Sequence, residues 1–309
     1  MNYFFFILTQ NILPIFLQIG IGVIIQKKFK LSIMTMSKVQ IYVLLPALLF
    51  SSIYSNDINS DVIFQIIVTN IICYGFLAIS SIIMSKALRL DKMNSKSFAN
   101  SLILSNQGNY LIPLLGLIFI GENATYAIAL QLMVMLIQTF VLNTFGIYNA
   151  SGGHLTKKDM IKRFFGLPVL YVFLAAVFFR VTHIPLWNPV MTSINIIGKS
   201  FVTVALLTLG MQLAETKLHV IHYRVFISNL IKLVLTPAVV LGCVLLLGYE
   251  GIVAKVLIIS AAAPSAVNSV LWAIEFGGDA EFASQTVLTS TILSTITMTL
   301  VIQIITHIF

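Results

Sequence analysis

Apolar runs long enough to cross a bilayer fill nearly the whole chain, with short connections between them. A helix needs about 20 mostly apolar residues to span the hydrocarbon. Ten runs reach that length, near 3–26, 35–55, 62–85, 97–120, 124–147, 167–184, 189–214, 225–247, 252–275 and 283–308. They do not alternate with period two, as barrel strands do. The expected fold class is an all-α polytopic membrane protein with ten transmembrane helices. Charged residues are 9% of the 309 and apolar ones 59%, against about 25% charged in soluble domains. So few charges cannot cover a water-exposed surface. A soluble enzyme, a nucleic-acid binder and a disordered chain are excluded as whole-chain readings. The connection at 149–166 is too short for a folded domain, so the chemistry falls to the membrane part.

The net charge of +8 sits mainly in alternate connections. Lys27, Lys28, Lys30 and Lys38 lie between the first two spans. Lys86, Arg89, Lys92 and Lys96 follow the third, and Lys157, Lys158, Lys162 and Arg163 the fifth. Lys217 and Arg224 follow the seventh. The opposite connections carry Asp57, Asp61, Glu122 and Glu250. The positive-inside rule puts the basic set in the cytoplasm, so both termini are expected outside it, in a multi-pass protein of the cytoplasmic (plasma) membrane. No Lys or Arg precedes the first apolar run, which reads as a spanning helix and not a signal peptide. Cys73 and Cys243 each lie inside an apolar run, which gives neither a disulfide framework nor a metal motif.

The halves resemble each other weakly. Residues 121–127 align with 277–283, and Leu13-Pro14 with Leu167-Pro168. Five helices per half is odd, so the second half enters the membrane in the opposite sense, the inverted repeat of secondary transporters. The expected organisation is a first repeat at 1–150, a short basic cytoplasmic loop at 151–166 and a second repeat at 167–309. The fourth span holds Ser105-Asn106-Gln107-Gly108-Asn109-Tyr110-Leu111-Ile112-Pro113; the ninth holds Ser260-Ala261-Ala262-Ala263-Pro264-Ser265-Ala266-Val267-Asn268-Ser269. Proline removes a donor and crowds the preceding turn. An unpaired amide is costly in hydrocarbon. This combination survives at mid-depth where irregular backbone is buried or lines a wet cavity. Two crossing breaks present half-helix N-termini that favour an anion and free carbonyls that favour a cation. Pro14, Pro46 and Pro237 lack such polar clusters and read as simple proline distortions.

Lys199 lies about ten residues into the seventh span, where a charge costs about 2.5–3.5 kcal/mol and needs a partner or water. It is expected at the cavity rim. Lys232 is placed nearer the cytoplasmic end, where snorkelling accounts for it. Arg180 and Lys255 are expected at the interface, Trp187 as an anchor and Trp272 as a packing residue. Gln131 and Gln138 are seven residues apart and share a helical face with cavity-lining and interhelical bonding both open; Gln138 has the better depth. No Asp or Glu lies near the middle of a span. His154, His183, His219, His222 and His307 fall in loops or at span ends. No metal site and no cofactor are expected.

These residues carry a resemblance. Leu45-Pro46-Ala47-Leu48-Leu49-Phe50, the Asn-Gly-Asn break before Pro113, Leu209-Gly210-Met211-Gln212-Leu213-Ala214, Ala263-Pro264-Ser265-Ala266-Val267-Asn268 and Ser290-Thr291-Ile292-Leu293-Ser294 together resemble the auxin efflux carrier family. That family includes the plant PIN exporters and bacterial permeases for malate or malonate. The resemblance implies two inverted five-helix repeats, helices 4 and 9 broken and crossing at prolines, and a carboxylate site near the crossing. Many plant members carry a long regulatory loop where this chain has 151–166, so a small metabolite is expected in preference to auxin.

The resulting expectation is an alternating-access carrier of small organic carboxylates, not an enzyme. Asn106, Asn109 and Asn268 hydrogen-bond the carboxylate, with Gly108 and Ser265 in the same breaks. Pro113 and Pro264 hold the backbone open, and Gln138 and Lys199 border the cavity. Spans 1, 2, 6 and 7 form a scaffold against which the crossing bundle rocks. The partners are the carboxylate and the lipid bilayer, with a homodimer left open and no nucleic acid. The rivals are a sodium-coupled carrier of the bile-acid-symporter type, a gated anion channel, and a receptor that binds without moving its ligand. Sodium dependence, currents faster than carrier turnover, and binding without flux tell them apart.

Overall fold

The computed structural model describes residues 3–150, 156, 158, 161–162, 165–216 and 222–309. Within the expected basic loop, Lys157, Arg163 and His154 lie outside the described residues, as do Lys217 and His219 farther on. Among the described residues seven helices are long and apolar enough to cross a membrane: α1 Tyr3–Phe29, α2 Ile33–Ser55, α3 Ser60–Ala87, α6 Glu122–Asn149, α8 Asn188–Ala214, α9 Tyr223–Leu246 and α12 Ala280–Ile308. Shorter helices stand between them: α4 Lys92–Ile103, α5 Leu111–Ile118, α7 Pro168–Val181, α10 Gly251–Ala261 and α11 Asn268–Glu275. Among the described residues the fold is all-helical, that of a multi-pass membrane protein.

Local sequence sets the helix ends. Asn59, Asp91 and Asp279 cap α3, α4 and α12, each accepting a backbone N–H of the first turn at 2.8 to 2.9 Å. The Asp91 carboxyl is held below the ordinary carboxylate range, first by the Asn94 backbone N–H. Lys27 and Lys28 close α1, and Lys86 closes α3, where cations suit the negative end of the helix dipole. Pro14, Pro46 and Pro237 each follow a π-helical turn, at Leu8–Ile12, Gln40–Leu44 and Ile231–Leu235. The wider turn accommodates the missing donor and the ring, so these helices continue through their prolines as distortions and not breaks.

The helices pack in two groups. One holds α1, α2, α7 and α8; the other holds α3 to α6 and α9 to α12. The first gathers the four spans expected to form a scaffold, and each group draws on both halves of the sequence. Glycine makes the closest approach within the scaffold. A Cβ on Gly22 would collide with the Leu207 carbonyl oxygen of α8, and one on Gly210 with the Ile19 carbonyl oxygen of α1. Small residues allow such backbone proximity in lipid, where burial from water does not drive association. Outward faces carry large apolar side chains such as Phe5, Ile24, Ile71 and Leu246, as a lipid-facing surface requires.

Candidate functional site

The two interruptions meet. α4 stops at Ile103 because Leu104 turns to an extended backbone conformation, and the chain becomes helical again at Leu111. α10 stops at Ala261, and α11 begins at Asn268. Ser105 and Ser265 pair antiparallel across the gap. Asn106 N–H donates to Pro264 O at 2.8 Å, and Ala266 N–H donates to Leu104 O at 2.9 Å. Orphan backbone groups of one break thus satisfy those of the other, which is the condition for irregular backbone at membrane depth. The sequence places the breaks at 105–113 and 260–269; they lie at 104–110 and 262–267.

Side chains from neighbouring helices fix this geometry. On α6, Gln138 donates to Ser105 O at 2.6 Å and accepts the Ser105 N–H at 3.1 Å. One turn-pair earlier, Gln131, fully buried, donates to Gln107 Oε1 at 2.7 Å and to Gln107 O at 3.1 Å. Its own Oε1 accepts the Ser260 hydroxyl at 2.5 Å. Both readings of that glutamine face therefore hold: Gln138 borders the cavity, and both residues bond between helices. Ser265 donates to Ser101 O at 2.7 Å, and its N–H meets Ser290 Oγ at 3.1 Å. Gln107 Nε2 donates to Ser260 O at 3.2 Å, at the carbonyl end of α10.

A cavity of about 390 Å³ opens on one side of the crossing, between the two helix groups. Asn106, Gly108, Asn109, Gln138 and Asn268 line it. Asn143, a polar residue of the same span as Gln131 and Gln138 and a candidate for the cavity lining with them, lines it as well. Apolar walls come from Ile41, Leu45, Met135, Val169, Phe201 and Leu271. Gln40 of α2 donates to Asn109 Oδ1, a bond between scaffold and crossing. Pro264 and Ser265 lie in the crossing behind the cavity wall. Pro113 sits in the first turn of α5, buried. Lacking an N–H, it leaves the Asn109 carbonyl, four residues earlier, without its helical donor.

The two mid-span lysines differ from expectation. Lys199 is exposed and does not line the cavity. Its neighbour Gly198 faces Leu48 of α2 so closely that a Cβ would meet its backbone, which turns Lys199 to the outer side. Lys232 was expected to snorkel; it is 0% exposed. Its ammonium donates to Leu102 O, and to Ser105 Oγ at 2.5 Å. Distance along the span gives the depth of Lys232 but not its surroundings, because the broken end of α4 brings oxygen acceptors to it. Sequence reading also left out Gln40, Gln107 and Ser260. For Gln107 the available signal was its place between Asn106 and Gly108. Arg180, expected at the interface, pairs with Asp57 at 2.7 Å. Trp187 is exposed and Trp272 is buried at 9%, as an anchor and a packing residue require.

Residues 153–302 match the family model of membrane transport proteins. A protein of Methanothermobacter thermautotrophicus described as an uncharacterized transporter is 25% identical to this chain over 272 residues, 86% of this chain and 87% of that protein. Both findings agree with the resemblance to auxin efflux carriers.

Proposed function

We propose that this chain, which is similar to membrane transport proteins, is an alternating-access carrier of small organic carboxylates. The carrying observation is the crossing of two interrupted helices beside a cavity of about 390 Å³ with amide side chains at the break and apolar side chains around it. Asn106, Asn109 and Asn268 supply neutral donors to a carboxylate, and Asn268 stands at the N-terminus of α11, whose free N–H groups suit an anion. The apolar walls accept the carbon skeleton, which a site for a bare inorganic anion does not need. Lys232, one hydroxyl behind the wall, contributes positive potential without contact.

In this reading the ten spans form two inverted five-helix repeats, at 1–150 and 167–309. They lie in the cytoplasmic membrane with both termini outside the cytoplasm. The scaffold stays fixed while the crossing bundle rocks, and the Gln40–Asn109 bond breaks and re-forms between the two. The test is uptake of labelled mono- and dicarboxylates into proteoliposomes. Asn109→Ala and Asn268→Ala are expected to abolish flux while the protein remains folded in the membrane. Full transport by both variants would refute the assignment.

A further inference from the structure

Lys232 sits where unpaired carbonyls gather. The last turn of a helix leaves four carbonyl oxygens without intrahelical partners. Around the end of α4, Ser101 O is met by the Ser265 hydroxyl and Leu104 O by the Ala266 N–H. Leu102 O is met by the Lys232 ammonium, which also holds Ser105 Oγ. The carbonyl end of a helix carries partial negative charge and favours a monovalent cation. Both bonds of Lys232 end on neutral oxygens, and it is 0% exposed. Ser105 also borders a separate void of about 20 Å³, shared with Thr69, Cys73, Tyr74, Gln107 and Ser260. The Thr69 hydroxyl there is 3% exposed and has no hydrogen-bond partner. Val134, Val240 and Leu257 also line it, and a void of that size has room for about one water.

We infer that Lys232 is a tethered cation. Its ammonium occupies a position at the α4 carbonyl end whose oxygens would suit a free monovalent ion, and it is the fixed counter-charge of the carried carboxylate across Ser105. The second half of this statement rests on the carboxylate reading; the first does not. An ammonium and a sodium or potassium ion carry the same charge and are satisfied by the same carbonyl and hydroxyl oxygens. The intact protein therefore needs no inorganic cation at its crossing. Removing the lysine side chain opens room beside the existing void for one.

The experiment melts the purified full chain in equal concentrations of sodium, potassium and choline chloride, and measures labelled malate flux in proteoliposomes under the same salts. The wild type and Lys232→Arg are expected to melt alike in all three salts and to move malate at salt-independent rates. Lys232→Ala is expected to melt lower in choline and to lose flux, with sodium or potassium raising the melting temperature and restoring part of the flux. Failure of sodium and potassium alike to raise the melting temperature of folded Lys232→Ala overturns the inference; Lys232→Met, closer in volume, separates cavity formation from loss of charge. The inference is overturned if sodium selectively stabilises the wild type, or if Lys232→Ala or Lys232→Met melts and transports like the wild type in choline. If the wild type moves neither malate nor any other labelled mono- or dicarboxylate of the uptake test yet shows the expected melting pattern, the substrate reading fails and the tethered cation stands.

Discussion

At the 104–110 interruption the carbonyl end of α4 is met by an ammonium, that of Lys232. At the 262–267 interruption the carbonyl end of α10 is met by the neutral amide of Gln107, which donates to Ser260 O. The interruptions share a backbone shape, and their pairing at Ser105 and Ser265 gives each the other's orphan groups. They differ in what the surrounding helices bring to them. The first is pinned from α6 by Gln138, which takes both the N–H and the carbonyl of Ser105; the second is pinned by single hydroxyls, Ser290 to the Ser265 N–H and Ser265 to Ser101 O. A shared backbone form fixes where charge is useful. Individual side chains decide on which side it is placed, and here the positive charge and the stronger pins lie on the same break.

The largest expected effect tests the charge. Lys232→Met strips two acceptors of their partner, and each buried orphan costs about 1–3 kcal/mol. Flux should vanish, and the variant should be less stable by about 2–5 kcal/mol in denaturant titration of the detergent-solubilised protein. Gln107→Leu, which removes the cap at the carbonyl end of α10, should cost about 1–2 kcal/mol and slow transport without abolishing it. Equal losses for the two variants would break the comparison, since the caps would then be equivalent.

The pins give the next contrast. Gln138→Leu leaves the Ser105 N–H without its partner and takes one of two donors from the Ser105 carbonyl, which keeps the Gln107 N–H at 2.9 Å, and should destabilise by about 1–3 kcal/mol. Ser290→Ala frees one N–H, that of Ser265, and should cost about 1–2 kcal/mol. Hydrogen exchange at the Ser105 and Ser265 amides sharpens this: the first should open far more in its variant than the second does in its own. The smallest effect belongs to the other mid-span lysine. Lys199→Ala, at an exposed position, should stay within about 0.5 kcal/mol of the wild type and transport normally. Loss of flux there would show that a second cation serves the site.

Much was legible in the chain itself. Run lengths and the scarcity of charge fix an all-helical membrane protein, because hydrocarbon admits only segments whose backbone bonds are satisfied internally. Proline beside clustered amides marks both interruptions, and it brings Asn106, Gly108, Asn109 and Asn268 to the cavity. The seven-residue spacing of Gln131 and Gln138 marks a face that bonds the breaks. Composition and spacing report depth and periodicity, and those are local properties.

The tertiary structure alone decided which polar group meets which. Lys232 bonds residues 127 and 130 positions away, and no pattern within its own helix announces them. Lys199 and Lys232 are each a charge within an apolar span, the first expected at the cavity rim and the second at the cytoplasmic end, yet the first faces outward and the second fills the crossing. A helix reveals from its sequence how deep a side chain lies. The direction in which that side chain points depends on the face its neighbours cover: the close approach of Gly198 to Leu48 turns Lys199 outward, and the broken end of α4 receives Lys232. That is a matter of packing between segments distant in sequence, and it exists only once they have assembled.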